Sequence, residues 1–126
     1  MKRILFAALF ILSSCSGLVA DETPEDNPNE IFYGTEWSTA SQNEGLKFFK
    51  DNSVLFFSNN AHVTKTGSFQ YSPENNWITL EGLTITTITP ASEFHDAELT
   101  SSTTMDVYWH EIGKTKGYVT ELYKRR

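Results

Sequence analysis

The chain has 126 residues, with 10 lysines and arginines against 16 aspartates and glutamates. Leaving out Lys2 and Arg3, which lie in the first fourteen residues, 8 basic side chains stand against 16 acidic ones, a net charge of −8. That balance argues against nucleic acid and against electrostatic attachment to anionic lipid, and a single cysteine excludes an internal disulfide.

The chain opens with a basic start (Lys2, Arg3), an apolar run from Ile4 to Leu12 and the small residues Ser13 and Ser14 before Cys15. This is the three-part layout of a secretory signal. A spanning helix needs about 20 apolar residues, so the run is too short for an uncleaved anchor. A plain signal peptide cut further on, near Ala20, is the rival reading. Leu12-Ser13-Ser14-Cys15 resembles the lipobox of bacterial lipoproteins. The resemblance implies that residues 1–14 are removed, that Cys15 is acylated, and that the protein is lipid-anchored at the outer membrane, facing the periplasm or the cell surface.

Residues 15–30 include Asp21-Glu-Thr-Pro-Glu-Asp-Asn-Pro-Asn-Glu30, which is acidic, carries two prolines and lacks apolar periodicity. It reads as a flexible tether. Acidic residues so soon after such a cysteine also resemble the surface-export signals of some outer-membrane lipoproteins. One domain, residues 31–126, follows.

That domain must stand on its core alone. It has 3 Trp, 5 Tyr and 9 Phe to draw on, of which only Phe6 and Phe10 precede Cys15. Short β-type runs alternate with turn residues along it. Strands are expected over 35–40, 46–50 and 53–58, the last two joined by a two-residue turn at Asp51-Asn52. Further runs cover 62–71, 77–81 and 83–89, with turns at 72–76 and a break or bulge at Gly82. Residues 93–100 are ambiguous: Ser92 is placed to cap a helical turn, and a strand is expected from Ala97 onward. Two clear strands, 104–111 and 117–124, complete the chain. No stretch after Cys15 sustains a helical period.

Eight or nine short strands in hairpin order, with no crossover helix, predict an all-β antiparallel meander. Closure into an up-and-down barrel would remove its two edges; a two-sheet sandwich is the alternative. The early tryptophan, the paired apolar hairpins, the late Met105-x-Val107-x-Trp109 strand and the final tyrosine-bearing strand resemble the small lipocalin-like lipoproteins of diderm bacteria. Lipocalins carry Gly-x-Trp in the first strand, and Gly34-Thr-Glu-Trp37 has one residue more. The resemblance implies a small barrel in which Trp37 closes the bottom and a basic side chain after the last strand, Arg125 foremost, stacks on its indole.

Little in the sequence carries chemistry. His62, His95 and His110 have no ligand partner at metal-site spacing, and His95-Asp96 and His110-Glu111 put neighbours on opposite faces of a strand. No metal and no cofactor are expected. Asp106 and Glu111 are the carboxylates best placed for acid–base work, which needs a displaced pKa, but no nucleophile motif accompanies them. The chain is not expected to be an enzyme. Phe48, Phe69, Tyr71, Val107 and Trp109 are the candidate lining of a ligand site, and the same side chains serve equally as packed core. Three roles stay open: a binding module for a small apolar or amphipathic ligand, an inhibitor of envelope hydrolases acting through loops and surface aromatics, and an accessory subunit of an envelope assembly.

The anchor makes a direct prediction. Several acyl chains hold a protein on a membrane, at about 0.8 kcal/mol per buried methylene, where one does not. Cys15→Ala should move the protein to the soluble fraction or leave it unprocessed, as read by fractionation and mass. Normal membrane retention and processing would refute lipidation.

Overall fold

A computed structural model describes residues 27–126. Cys15, the signal-like segment and most of the expected tether lie outside the described residues. Nine strands run in order: β1 (Glu36–Ser38), β2 (Glu44–Phe48), β3 (Ser53–Ser58), β4 (Val63–Ser72), β5 (Trp77–Glu81), β6 (Thr84–Ile85), β7 (Ser92–Leu99), β8 (Thr104–Glu111) and β9 (Gly117–Lys124).

Each strand pairs antiparallel with the next from β1 to β5 and from β6 to β9. Two further pairings close the ring: β5 with β7, and β9 back to β1. Eight strands thus form a barrel, and β6 lies beside β7 as an appendage. The expected all-β antiparallel meander is present, and the barrel, not the sandwich, is the way its edges are hidden.

The turns follow from their residues. Asn52 takes a left-handed conformation (φ 67°), which asparagine tolerates better than most residues. With Phe49 N–H bonded to Ser53 O and Asn52 N–H bonded to Phe49 O, three residues make the turn where two were expected. Gly67 marks the point where β4 changes partner from β3 to β5. A Cβ there would run into the Glu81 backbone carbonyl, so only glycine allows this corner.

Three expected elements change. The run 83–89 contributes only Thr84–Ile85 as strand, because β7 begins at Ser92 and gives residues beyond Ile85 nothing to pair with. The helical turn at Glu93 is absent. Ser92 Oγ donates to Pro90 O (2.9 Å) instead of capping, and strand β7 starts there, five residues before Ala97. A bulge between Phe94 and Asp96 breaks the two-residue alternation, which is why this segment resisted assignment. The third change is at the start. Pro28–Phe32 is a short 3₁₀ helix that belongs to the domain.

That helix closes one end of the barrel. Its Asn27 accepts the Asn29 N–H at 3.1 Å as an N-cap. Asn29 is 2% exposed and bonds to β4 on both sides. Its amide donates to Phe69 O (3.1 Å), and its Oδ1 accepts from Tyr71 N–H (2.8 Å). Phe32 then enters the barrel, its ring centroid 5.1 Å from Phe48 and 5.0 Å from Tyr71, with Trp37 at 6.0 Å and Phe69 at 6.1 Å. Tilted and edge-on pairs of this kind add about 0.5–1.5 kcal/mol each beyond their area.

Phe56 and Phe57 point to opposite faces, as alternation requires. Phe56 is in the core cluster, and Phe57, on the outer face, is still only 8% exposed. Its cross-strand neighbour is Gly45, which leaves room for the ring, and the Lys47 ammonium lies 5.5 Å from its centroid.

The seam between β1 and β9 pairs Trp37 with Lys124 and Ser38 with Tyr123. Arg125 does sit at this seam, but it does not stack on Trp37. Trp37 points inward, 2% exposed, with Nε1 bonded to Thr35 Oγ1 at 2.9 Å. Ser38, the next residue, faces outward, and the Arg125 guanidinium lies there, donating to Ser38 Oγ and to the Thr39 carbonyl. Successive strand residues face opposite sides, so a side chain on the outer surface cannot reach the indole face. The arginine still fastens the seam, through hydrogen bonds.

Asn29→Ala would leave the Tyr71 N–H and the Phe69 carbonyl buried without partners, an expected loss of about 1–3 kcal/mol. Urea denaturation should show it as a lower midpoint at unchanged slope. No loss would mean that the 3₁₀ helix does not contribute to stability.

Candidate functional site

Phe32 fills one end of the interior, and a shallow cleft of about 460 Å³ bordered by Pro28, Ile31, Tyr71 and Pro73 lies outside it. Phe48, Phe69 and Tyr71, three of the five expected ligand-lining residues, belong to the packed cluster around Phe32. They have no open space beside them within the barrel. Val107 and Trp109 sit toward the opposite end, where the β1–β2, β3–β4, β6–β7 and β8–β9 connections lie.

Inside that end a void of about 10 Å³ is bordered by Val107, Phe56, Phe94, Leu46, Thr120 and Glu44. It is of the order of a single water site, so the interior is filled. Above it a cleft of about 350 Å³ opens to solvent. Phe94 and Trp109 border it from the barrel side, Ser58, Asn60 and Ala61 from the β3–β4 turn, and Ile88, Thr89 and Pro90 from the segment before β7.

The inward-facing aromatics form a ladder beneath this cleft. Phe56 stacks on Phe94 (4.7 Å, 27°), Phe94 leans on Trp109 (5.7 Å), and Trp109 stacks on Tyr118 (4.7 Å, 22°). The indole N–H of Trp109 donates to Thr120 Oγ1 at 2.9 Å, which holds the ring in place. Ile88 and Thr89, within the run expected as strand over 83–89, serve as rim instead.

Glu44 is the residue that sequence reading missed. Strand β2 begins at Glu44, two residues before the expected Leu46. That adds Glu44 to the inward row of Leu46 and Phe48, the only signal available being this spacing of two. Its side chain borders both the void and the cleft. Burial pushes its carboxyl above the ordinary glutamate range. Among the described residues no cation pairs with it: the ion pairs are Lys47–Glu36, His95–Asp96 and His110–Glu93.

The other candidates do not converge. His95 follows inward Phe94 and faces outward, its ring 5.3 Å from His110, and the bulge puts Asp96 on that same face instead of the opposite one expected. These residues were not expected to converge on one ion. Each histidine keeps its own carboxylate, Asp96 at 2.8 Å and Glu93 at 3.5 Å, and among the described residues no group of three or more ligand side chains is arranged to hold a metal. His62 lies in the β3–β4 turn with a left-handed φ of 56°. Asp106 and Glu111 point to opposite faces of β8. Asp106 pairs across the sheet with Glu98 and Glu121, and burial followed by repulsion from Glu121 and Glu98 raises its pKa.

In comparison with known proteins, the chain matches no family model, no curated protein and no solved structure.

The raised pKa of Glu44 has a definite sign. A carboxyl whose folded pKa exceeds its unfolded one binds more protons folded than unfolded, so stability falls as pH rises from the ordinary range through the raised value. Glu44→Gln removes that dependence. The variant should melt higher than the parent at neutral pH, and the difference should vanish on acidification below the ordinary glutamate range. A variant less stable at neutral pH would mean the carboxylate has a partner in the fold.

Proposed function

We propose that this protein is a lipid-anchored, non-enzymatic binding module of the lipocalin-like kind, which holds a small amphipathic molecule at the outer membrane. One observation supports the reading above the others: an open cleft of about 350 Å³ with Phe94 and Trp109 beneath it, on a barrel whose interior is otherwise filled. Small-molecule sites are typically concave, about 300–1,000 Å³, mostly apolar and equipped with a few polar groups. The cleft meets each condition at the small end of the range. A filled barrel with an external cup differs from a hollow one: the ligand would lie across the mouth and keep one side in water. The anchor rests on Cys15, and the location on the resemblance of residues 12–15 to a lipobox.

The inhibitor reading calls for a protruding loop. Ser72–Asn76 is a tight turn at the end closed by Phe32, and of 90–96 all but Pro90 and Ala91 lie within strand β7. An envelope protein partner is therefore the second reading.

Native mass spectrometry of the full chain, released gently from membranes, should show a small molecule retained by the protein. Ala61→Trp, which places an indole in the cleft, should abolish that mass without unfolding the barrel. Retention of the same mass by the variant would refute the cleft as the site, and a copurified protein in place of a small molecule would favour the second reading.

A further inference from the structure

The cleft has a chemical bias beyond its size. Of the residues around it, Glu44 is the only charged one. Two of its three hydroxyls are engaged, Ser92 Oγ donating to Pro90 O at 2.9 Å and Ser58 Oγ accepting the Ala61 N–H at 3.4 Å. The indole N–H of Trp109 is likewise taken by Thr120. What remains for a ligand is the Thr89 hydroxyl, the Asn60 amide, the buried Phe94 and half-buried Trp109 side chains, and one carboxylate without a cation partner among the described residues. Aromatic faces attract cations through their quadrupole, most strongly for tryptophan and where water is excluded. A carboxylate at the border of an apolar void favours the same guest, because a cation beside it offsets the loss of its hydration. An anionic ligand would meet an uncompensated like charge, and a neutral one would leave Glu44 as it is.

Building on the small-ligand reading above, we infer that the guest is an organic cation, an amine or quaternary ammonium carrying an apolar body. The cationic group sits between Glu44 and Trp109, and the apolar body lies over Ile88 and Pro90 toward solvent.

The test uses three probes with one body, phenethylamine, phenethyl alcohol and phenylacetate, titrated against the full chain at matched ionic strength and followed by ligand-observed NMR. The amine should bind at least about tenfold more tightly than the other two. Glu44→Gln should bring the amine down to the level of the alcohol. Glu74→Gln, in the turn at the closed end, makes the same change in net charge and should leave the preference intact. Equal binding of all three probes would overturn the cation inference and leave the binding module standing. A preference that survives Glu44→Gln would overturn it too, by tracing the effect to overall charge. Binding of none at millimolar concentration would overturn both readings. Thermal melting of Glu44→Gln, expected to be no lower than the parent at neutral pH, shows that the variant is folded.

Discussion

Phe32 inside the barrel, held by Asn29 on β4, is the contact from which the rest of the architecture follows. An eight-stranded barrel has room for side chains or for one small guest, and seldom for both. Here the 3₁₀ helix uses that room at one end. It sets the rings of Phe48, Phe69, Tyr71 and Trp37 around Phe32, and the remaining inward side chains fill the middle down to a void of about 10 Å³. Fully burying a phenylalanine contributes about 1.5–3 kcal/mol, a large share of the stability of so small a domain without a disulfide. A hollow barrel of this size would forgo that contribution.

Filling one end closes the interior there, and the cleft of about 350 Å³ lies at the other. The connections there are longer and less regular. The 86–91 segment, with too short a strand partner in β7, rises to form one wall of a cleft. Loops on a rigid scaffold are the usual place for binding groups. The scaffold here supplies an aromatic ladder from Phe56 to Tyr118 whose members are fixed by stacking and by the Trp109–Thr120 bond. A rigid base loses little freedom when a ligand arrives, which favours affinity from a small contact.

The charge distribution agrees with a division of labour between surfaces. On the outer face Glu98, Asp106 and Glu121 lie opposite one another across three strands, a like-charge row that destabilises the sheet and keeps the surface hydrated. At the mouth Glu44 stands apart from that row, at the border of apolar space. The first arrangement is met with solvent and salt, whereas the second is best met by a cation held in place.

The order of strands was legible because it depends on local chemistry. Alternation placed β3, β4, β8 and β9 within a residue or so, and the turn residues at 51–52 and 72–76 separated hairpins that pair in register. Other features depended on which strands meet across the closed ring, which no local pattern encodes. Asn29 reads as part of an acidic tether until Tyr71, 42 residues away, supplies its partner. Arg125 was expected on the Trp37 ring, and the faces of β1 sent it to Ser38 and Thr39 instead. Phe48, Phe69 and Tyr71 carry the same aromatic signature whether they line a pocket or a packed end. Only the arrival of Phe32 among them makes them core. Glu44 is an ordinary surface residue by composition, and its inward position follows from two residues of β2 that become strand once β1 and β3 flank them. The sequence by itself determined the class of fold, because hydrophobic alternation and turn chemistry act over a few residues. The tertiary structure alone decided where open space lies, because filled and open space depend on side chains brought together from distant parts of the chain.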